Sequence, residues 1–233
     1  MRVLVTRPLP EAELTAAALA ARGHAALLAP VTAIRPTGRA LPPGPFDAVA
    51  ATSHHAFAAA GPLDRALPIF AVGRRTASAA RAAGFRDVRI GRGDAAGLAD
   101  LLRLTLPRPA RLLYLAGRDR KPSLEAALAA AGHAVTAVET YAAEALAAWP
   151  AEVLEALRTR DLDAALHFSR RSTDLALRLA AAAGREDAFL LLRHLCLSGD
   201  CAEPLMERRA FSVAIADRPE EEALLALLDG RRP

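Results

Sequence analysis

Cysteine, lysine, aromatic residues and long apolar runs are all scarce in this chain of 233 residues. Its two cysteines, Cys196 and Cys201, are so close that a bridge would close a trivial loop, and their spacing fits no zinc pattern. That excludes a disulfide scaffold and fits a reducing compartment. No stretch approaches membrane-spanning length, and no charged leader precedes the first apolar run at Val3 to Val5, which predicts a soluble, cytoplasmic protein without a membrane partner. Aromatics make up only 4%, and the arginines behind the formal charge of +4 are scattered, so no base-stacking platform or nucleic-acid partner is predicted. Of the 30 basic residues only Lys121 is lysine; in so alanine-rich a chain this reads as a composition effect, not as selection for guanidinium chemistry.

What is abundant is alternation. Short strand-like runs at 2–6, 25–29, 47–51, 69–72, 87–90, 111–115, 134–139, 163–168, 194–198 and 211–216 are separated by Ala/Leu-rich stretches of helical period, the pattern of parallel sheets covered by helices. Internal repeats divide the ten strands into two sheets of five. Asp47-Ala48-Val49-Ala50-Ala51-Thr52-Ser53 resembles Asp163-Ala164-Ala165-Leu166-His167-Phe168-Ser169. Val72-Gly73-Arg74-Arg75-Thr76-Ala77 and Val88-Arg89-Ile90 run in one register with Leu197-Ser198-Gly199-Asp200-Cys201-Ala202 and Val213-Ala214-Ile215. Arg111-Leu112-Leu113-Tyr114, leading to Gly132-His133-Ala134, matches Arg2-Val3-Leu4-Val5 leading to Gly23-His24-Ala25, so what ends one copy begins the other.

The copies are therefore circularly permuted. The expected architecture is α/β, two doubly wound parallel-sheet lobes with the second inserted into the first: lobe one at 1–33 and 145–233, lobe two at 46–138, and linkers at 34–45 and 139–144. The first linker carries Pro36, Gly38, Pro42, Pro43, Gly44 and Pro45, which break regular structure. Two crossings form a two-segment hinge, with the chemistry expected in the cleft.

Ligands bind open parallel sheets beyond the carboxyl ends of the strands, where helix N-termini present backbone N–H groups. The turns there carry Thr6-Arg7, Thr52-Ser53, Gly73-Arg74-Arg75-Thr76, Gly117-Arg118, Ser169-Arg170-Arg171-Ser172 and Ser198-Gly199, and none is acidic. Such turns suit carboxylates or phosphates, although any one Ser or Thr also serves as a helix cap. Gly91-Arg92-Gly93-Asp94-Ala95-Ala96-Gly97 imitates a dinucleotide fingerprint, but no acidic residue ends the next strand, so a tight turn capped by Asp94 is expected. The adjacent His54 and His55 read as exposed turn residues with diverging side chains, not as metal ligands. Cys201 reads as a small buried residue, and no Ser/His/Asp arrangement is legible. Tyr141, in the second crossing, projects either into the cleft or onto the linker's own packing; a phenol there can donate to a leaving hydroxyl.

Val3-Leu4-Val5-Thr6-Arg7-Pro8, Thr52-Ser53, Val72-Gly73-Arg74-Arg75-Thr76-Ala77, Tyr114-Leu115-Ala116-Gly117-Arg118, Val138-Glu139-Thr140-Tyr141, Phe168-Ser169, and Val213-Ala214 followed by Pro219 together resemble the uroporphyrinogen-III synthase family over the whole chain. The resemblance implies two hinged lobes, one inserted in the other, and a lyase that cyclises hydroxymethylbilane to uroporphyrinogen III with loss of water and inversion of the last ring, in tetrapyrrole biosynthesis. It implies no cofactor and no metal. It places Thr52, Ser53, Thr76, Ser169 and the Arg118 to Lys121 segment at cleft-lining positions, and gives Tyr141 the task of assisting hydroxyl loss. Thr6, Arg7 and Cys201 complete the expected substrate-binding set. Cys201 stands where the family pattern favours Thr, and Arg170-Arg171 where small residues or Pro are common. The expected partner is the linear tetrapyrrole, bound by a monomer, with transient contact with the bilane-forming enzyme. The rival is a cytoplasmic two-lobed binding protein or sensor for an anionic metabolite, without catalysis.

Overall fold

The computed structural model describes residues 1–58, 61 and 63–229. In chain order the first half comprises β1 (Arg2–Val5), α1 (Glu11–Ala21), β2 (Ala25–Leu28), β3 (Thr32–Pro36), β4 (Ala48–Ala51), α2 (His55–Ala58), β5 (Ile69–Ala71), α3 (Arg74–Ala82), β6 (Val88–Ile90) and α4 (Ala95–Thr105). The second comprises β7 (Arg111–Gly117), α5 (Ser123–Ala130), β8 (Ala134–Ala145), α6 (Ala151–Arg158), β9 (Ala164–His167), α7 (Arg170–Ala182), α8 (Glu186–Leu190), β10 (Arg193–Cys196), α9 (Gly199–Glu207), β11 (Ser212–Ile215) and α10 (Glu221–Asp229). None of these helices is long and apolar enough to cross a membrane.

The chain divides into two compact units, Met1–Ala33 with Glu144–Pro233, and Ile34–Ala143. The first carries a five-stranded sheet in the order β11-β10-β9-β1-β2; the second is built on a six-stranded sheet, β3-β8-β7-β4-β5-β6. The permuted repeat holds at the level of register. Parallel pairing sets Ala50 of β4 against Tyr114 of β7, and the repeat-related pairing sets Leu166 of β9 against Val5 of β1. Likewise Val49 faces Ile69 as Ala165 faces His194, and Arg111 faces Ala134 as Arg2 faces Ala25.

Central strands such as β4 and β9 are buried at every position, as expected where helices cover both faces of a parallel sheet. The helices follow from the same logic. In α7, Ser172, Thr173, Ala176, Leu177, Leu179 and Ala180 recur at helical spacing and are buried, Ser169 caps the start, and Gly184 at φ +64° follows the end. Each unit has an apolar cluster on either face of its sheet, for example Leu27, Trp149, Val153, Ala176 and Phe189 in the first unit and Leu98, Leu102, Leu112, Leu124 and Leu128 in the second.

One element was not anticipated. Residues 32–36 form an edge strand, β3, and β8 runs on to Ala145, so parts of the expected linkers are strand. An edge strand tolerates Pro36, which has no N–H to give a second neighbour. The Thr37 N–H donates to the Thr140 carbonyl at 3.1 Å, continuing that pairing beyond β3.

Candidate active site at the strand ends

In the second unit the carboxyl ends of β4, β7 and β8 gather a connected set of polar side chains. Pairing of β7 with β8 shifts register between Ala116 and Gly117, so that Ala116 faces Glu139 but Gly117 faces Tyr141. A Cβ on Gly117 would lie 2.8 Å from both Cζ and the hydroxyl oxygen of Tyr141, so this position admits only glycine while the phenol rests there. Tyr141 is half-buried, its ring centroid is 5.7 Å from that of His55, and its carbonyl accepts the Arg118 N–H at 3.0 Å.

Thr52 follows β4, and its hydroxyl lies 2.8 Å from that of Tyr114. Tyr114 is only 2% exposed, and burial pushes its phenol pKa up, against the lowering effect of the Thr52 hydrogen bond. Ser53 accepts the His55 N–H at 3.3 Å, two residues on, within the turn that leads into α2. His54 and His55 were expected to diverge in solvent. They are half-buried instead, with ring centroids 3.8 Å apart, because the tight turn into α2 stacks neighbouring side chains.

The turn after β7 corrects a further expectation, that the strand ends lack acidic groups. Arg120 donates to Glu125 at 2.9 and 3.0 Å and to the Gly117 carbonyl at 3.1 Å, and lies 3.5 Å from Glu139. Glu139 also faces Arg39 at 3.3 Å and Arg118 at 4.0 Å. These carboxylates come from α5 and β8, not from the turns, which is why the turn sequences did not disclose them. Arg118 and Lys121 remain exposed, whereas Thr76 is 4% exposed on the first turn of α3. Asp94 caps α4, accepting the Gly97 N–H at 2.7 Å.

In the first unit the anticipated residues are held by their own surroundings. Thr6 is fully buried and donates to the Leu166 carbonyl at 2.8 Å, tying β1 to β9. Arg7 donates to Thr15 and Glu221, each at 3.2 Å, and its guanidinium lies 4.3 Å from the centre of the Phe168 ring. Ser169 caps α7 by accepting the Ser172 N–H at 3.2 Å. Arg170 pairs with Glu203 and lies 3.8 Å from Asp200. Cys201 is 2% exposed, its sulfur 3.2 Å from the Ser198 hydroxyl. Burial pushes the Cys196 thiol up to about 12, which makes it inert near neutrality.

The structure thus brings Thr52, Ser53, Arg118 and Tyr141 to the carboxyl ends of β4, β7 and β8 in the second unit, and adds Tyr114, Arg120, Glu139 and the two histidines. The one available signal for Tyr114 was a phenol in the middle of a buried strand whose repeat mate is Val5. A cavity of about 730 Å³ in the same unit is lined by Leu41, Phe46, Leu63 and Leu67 near the amino ends of β4 and β5, and its described lining contains none of these strand-end residues.

Two parallel-sheet units built on one permuted repeat, the second with hydroxyl, arginine and phenol groups at its strand ends, define a class of two-unit α/β protein. The family model for uroporphyrinogen-III synthase HemD matches residues 13–226, and the chain belongs to that family, whose members are hydro-lyases that cyclise hydroxymethylbilane. Two solved structures share the fold. A mutant uroporphyrinogen III synthase from the extremely thermophilic bacterium Thermus thermophilus is 23% identical with 98% of each chain covered and a TM-score of 0.52; the uroporphyrinogen-III synthetase of Helicobacter pylori is 18% identical over 98% of each chain, with a TM-score of 0.62. No curated protein sequence matches significantly.

Proposed function

We propose that the chain converts hydroxymethylbilane to uroporphyrinogen III using the strand-end groups of the second unit, with Tyr141 as the proton donor to the departing hydroxyl. The observation that carries this is the seat of Tyr141: a half-buried phenol packed on Gly117 at a register shift, with the His55 ring 5.7 Å away. Loss of hydroxide from the terminal hydroxymethyl group is slow without a proton. A phenol held out of bulk water donates one to the leaving oxygen, and water departs. The electrophilic carbon so formed is attacked by a substituted carbon of the last ring, giving a spiro intermediate that fragments and recloses inverted. The final loss of a ring-carbon proton returns one proton to the site, so the overall change is loss of water alone.

In water the same substrate closes without inversion, so the protein must also hold the chain folded. Thr52, Ser53, Arg118 and Lys121 supply donors for the acetate and propionate carboxylates, and Glu139 restrains the surrounding guanidinium groups. Ser169 offers a further hydroxyl in the first unit. Thr6, Thr76 and Cys201 shape these turns from beneath, because each is at least nine-tenths buried. On this reading the chain acts as a cytoplasmic monomer on a small molecule, without nucleic acid or membrane, and meets the bilane-forming enzyme transiently.

The test supplies enzymatically generated hydroxymethylbilane and separates the oxidised products by isomer. Type III product formed faster than spontaneous closure is expected; type I alone, at the spontaneous rate, removes the proposal.

A further inference from the structure

The permuted repeat provides an internal control for side chains at the strand ends. Its alignment pairs Tyr114 with Val5 and Thr52 with Phe168, and the strands that carry them have the same register in both units. In the first unit both positions are apolar, and the frame closes there with no hydroxyl at either. The pair formed by Tyr114 and Thr52 is therefore not required by the scaffold. A phenylalanine at 114 would fill the same space among Leu98, Leu102, Leu124 and Leu128 without needing a polar partner.

We propose that Tyr114 is a positioning residue: its buried phenol donates to Thr52 Oγ1 and so leaves the hydroxyl hydrogen of Thr52 to point outward, to a carboxylate of the bound substrate. This rests on the substrate-binding role given to Thr52 above. The 2.8 Å separation allows either oxygen to donate, and chemistry decides the direction. A phenol oxygen shares its lone pair with the ring, which makes it the better donor and the poorer acceptor of the two. Burial raises its pKa, so it keeps its proton throughout the neutral range.

Thr6 displays the opposite arrangement. Its hydroxyl hydrogen is committed to the Leu166 carbonyl and is closed to any ligand. At Thr52 a donor, not an acceptor, lies beneath the hydroxyl, and the residue is half-buried just beyond the carboxyl end of β4. Aiming one hydroxyl in advance lowers the cost of ordering it when a carboxylate arrives.

The experiment compares Tyr114→Phe, Thr52→Val, the double variant, and Tyr114→Phe in a Thr52→Ser background, measuring type III formation from enzymatically generated hydroxymethylbilane, with thermal melts confirming that each is folded. Thr52→Val is expected to raise KM about tenfold, the loss of one hydrogen bond to a charged group. Tyr114→Phe should raise KM severalfold with kcat little changed, the double variant should be no worse than Thr52→Val, and Thr52→Ser should preserve the dependence on the phenol. A merely structural Tyr114 would not give this non-additivity. Independent, multiplying effects overturn the proposal, as does a Tyr114→Phe variant with unchanged KM or one that loses kcat alone. A Thr52→Val variant with unaltered KM sinks the role of Thr52 and the proposal with it. Failure of the wild-type chain to form type III product would instead remove the synthase reading on which both rest.

Discussion

The two units share a five-strand frame register for register, yet they fill it differently. The second unit places a phenol within β7 and a hydroxyl just after β4, where the first places Val5 and Phe168. The first unit buries His167 and His194 where the second buries Ala51 and Ile69. In that histidine pair, His167 Nε2 lies 3.0 Å from His194 Nδ1, and His194 Nε2 lies 3.0 Å from the Phe189 carbonyl. A carbonyl only accepts, so His194 carries its proton on Nε2, accepts on Nδ1 from His167, and leaves the buried Nδ1 of His167 without a partner. The comparison teaches that the frame asks only for small or branched side chains on buried parallel strands. Polar groups added to it form hydrogen-bonded pairs of their own: a phenol with a threonine hydroxyl in the second unit, two neutral imidazoles in the first.

The largest expected effect lies with the histidines. Burial lowers His167 well below the usual imidazole range and His194 to about 4. An unfolded chain takes up protons on these groups below about pH 6.5, while the folded chain refuses them until far lower, so stability present above that pH is lost as pH falls. His194 alone accounts for up to about 3 kcal/mol between pH 6.5 and 4. His133 in the second unit is lowered too, by burial and then by Arg108. Thermal unfolding at pH 7 and pH 5 should show the loss, and His167→Ala with His194→Ile, which copies the second unit into the first, should flatten it. Equal stability at both pH values in the wild type would break the comparison.

Next in size is Tyr141→Phe, expected to lower kcat for type III product about a hundredfold, the usual scale for losing a general acid, while product binding changes little. Equal loss in both would assign Tyr141 to binding or structure. Gly117→Ala tests the same phenol from below. Its Cβ would meet the ring at 2.8 Å, so a kcat about tenfold lower is expected from displacement of a positioned group, with the protein still folded. Unaltered kcat would show that the seat of Tyr141 does not matter.

The smallest effects separate the two repeat-related serines, Ser169 and Ser53. Ser169 caps the thirteen-residue α7, and Ser169→Ala should cost about 1 kcal/mol of stability by denaturant titration. Its repeat mate Ser53 makes only a two-residue turn bond ahead of α2, and Ser53→Ala should cost only a few tenths, with its main effect on KM. Similar stability losses from both would show that the two turns play the same structural part.

The sequence by itself determined the α/β class, the permuted repeat and the family, because each is written in local signals: strand-length apolar runs, helical periods, and short motifs in a set order. Asp94 and Ser169 as caps were legible for the same reason, since a cap acts within one turn of itself. Tertiary structure alone decided which side chains meet. Tyr114 and Thr52 are 62 residues apart, and Thr6 and Leu166 are 160 apart; each contact exists because parallel pairing sets a register, and a shift at one residue, as at Gly117, changes who faces whom. Glu139 reaches Arg120 by that route, and Glu125 by the turn into α5 five residues on, which is why a turn that reads as free of these carboxylates meets both. Strand β3 was hidden because an edge position forgives the proline that, read locally, signals a break.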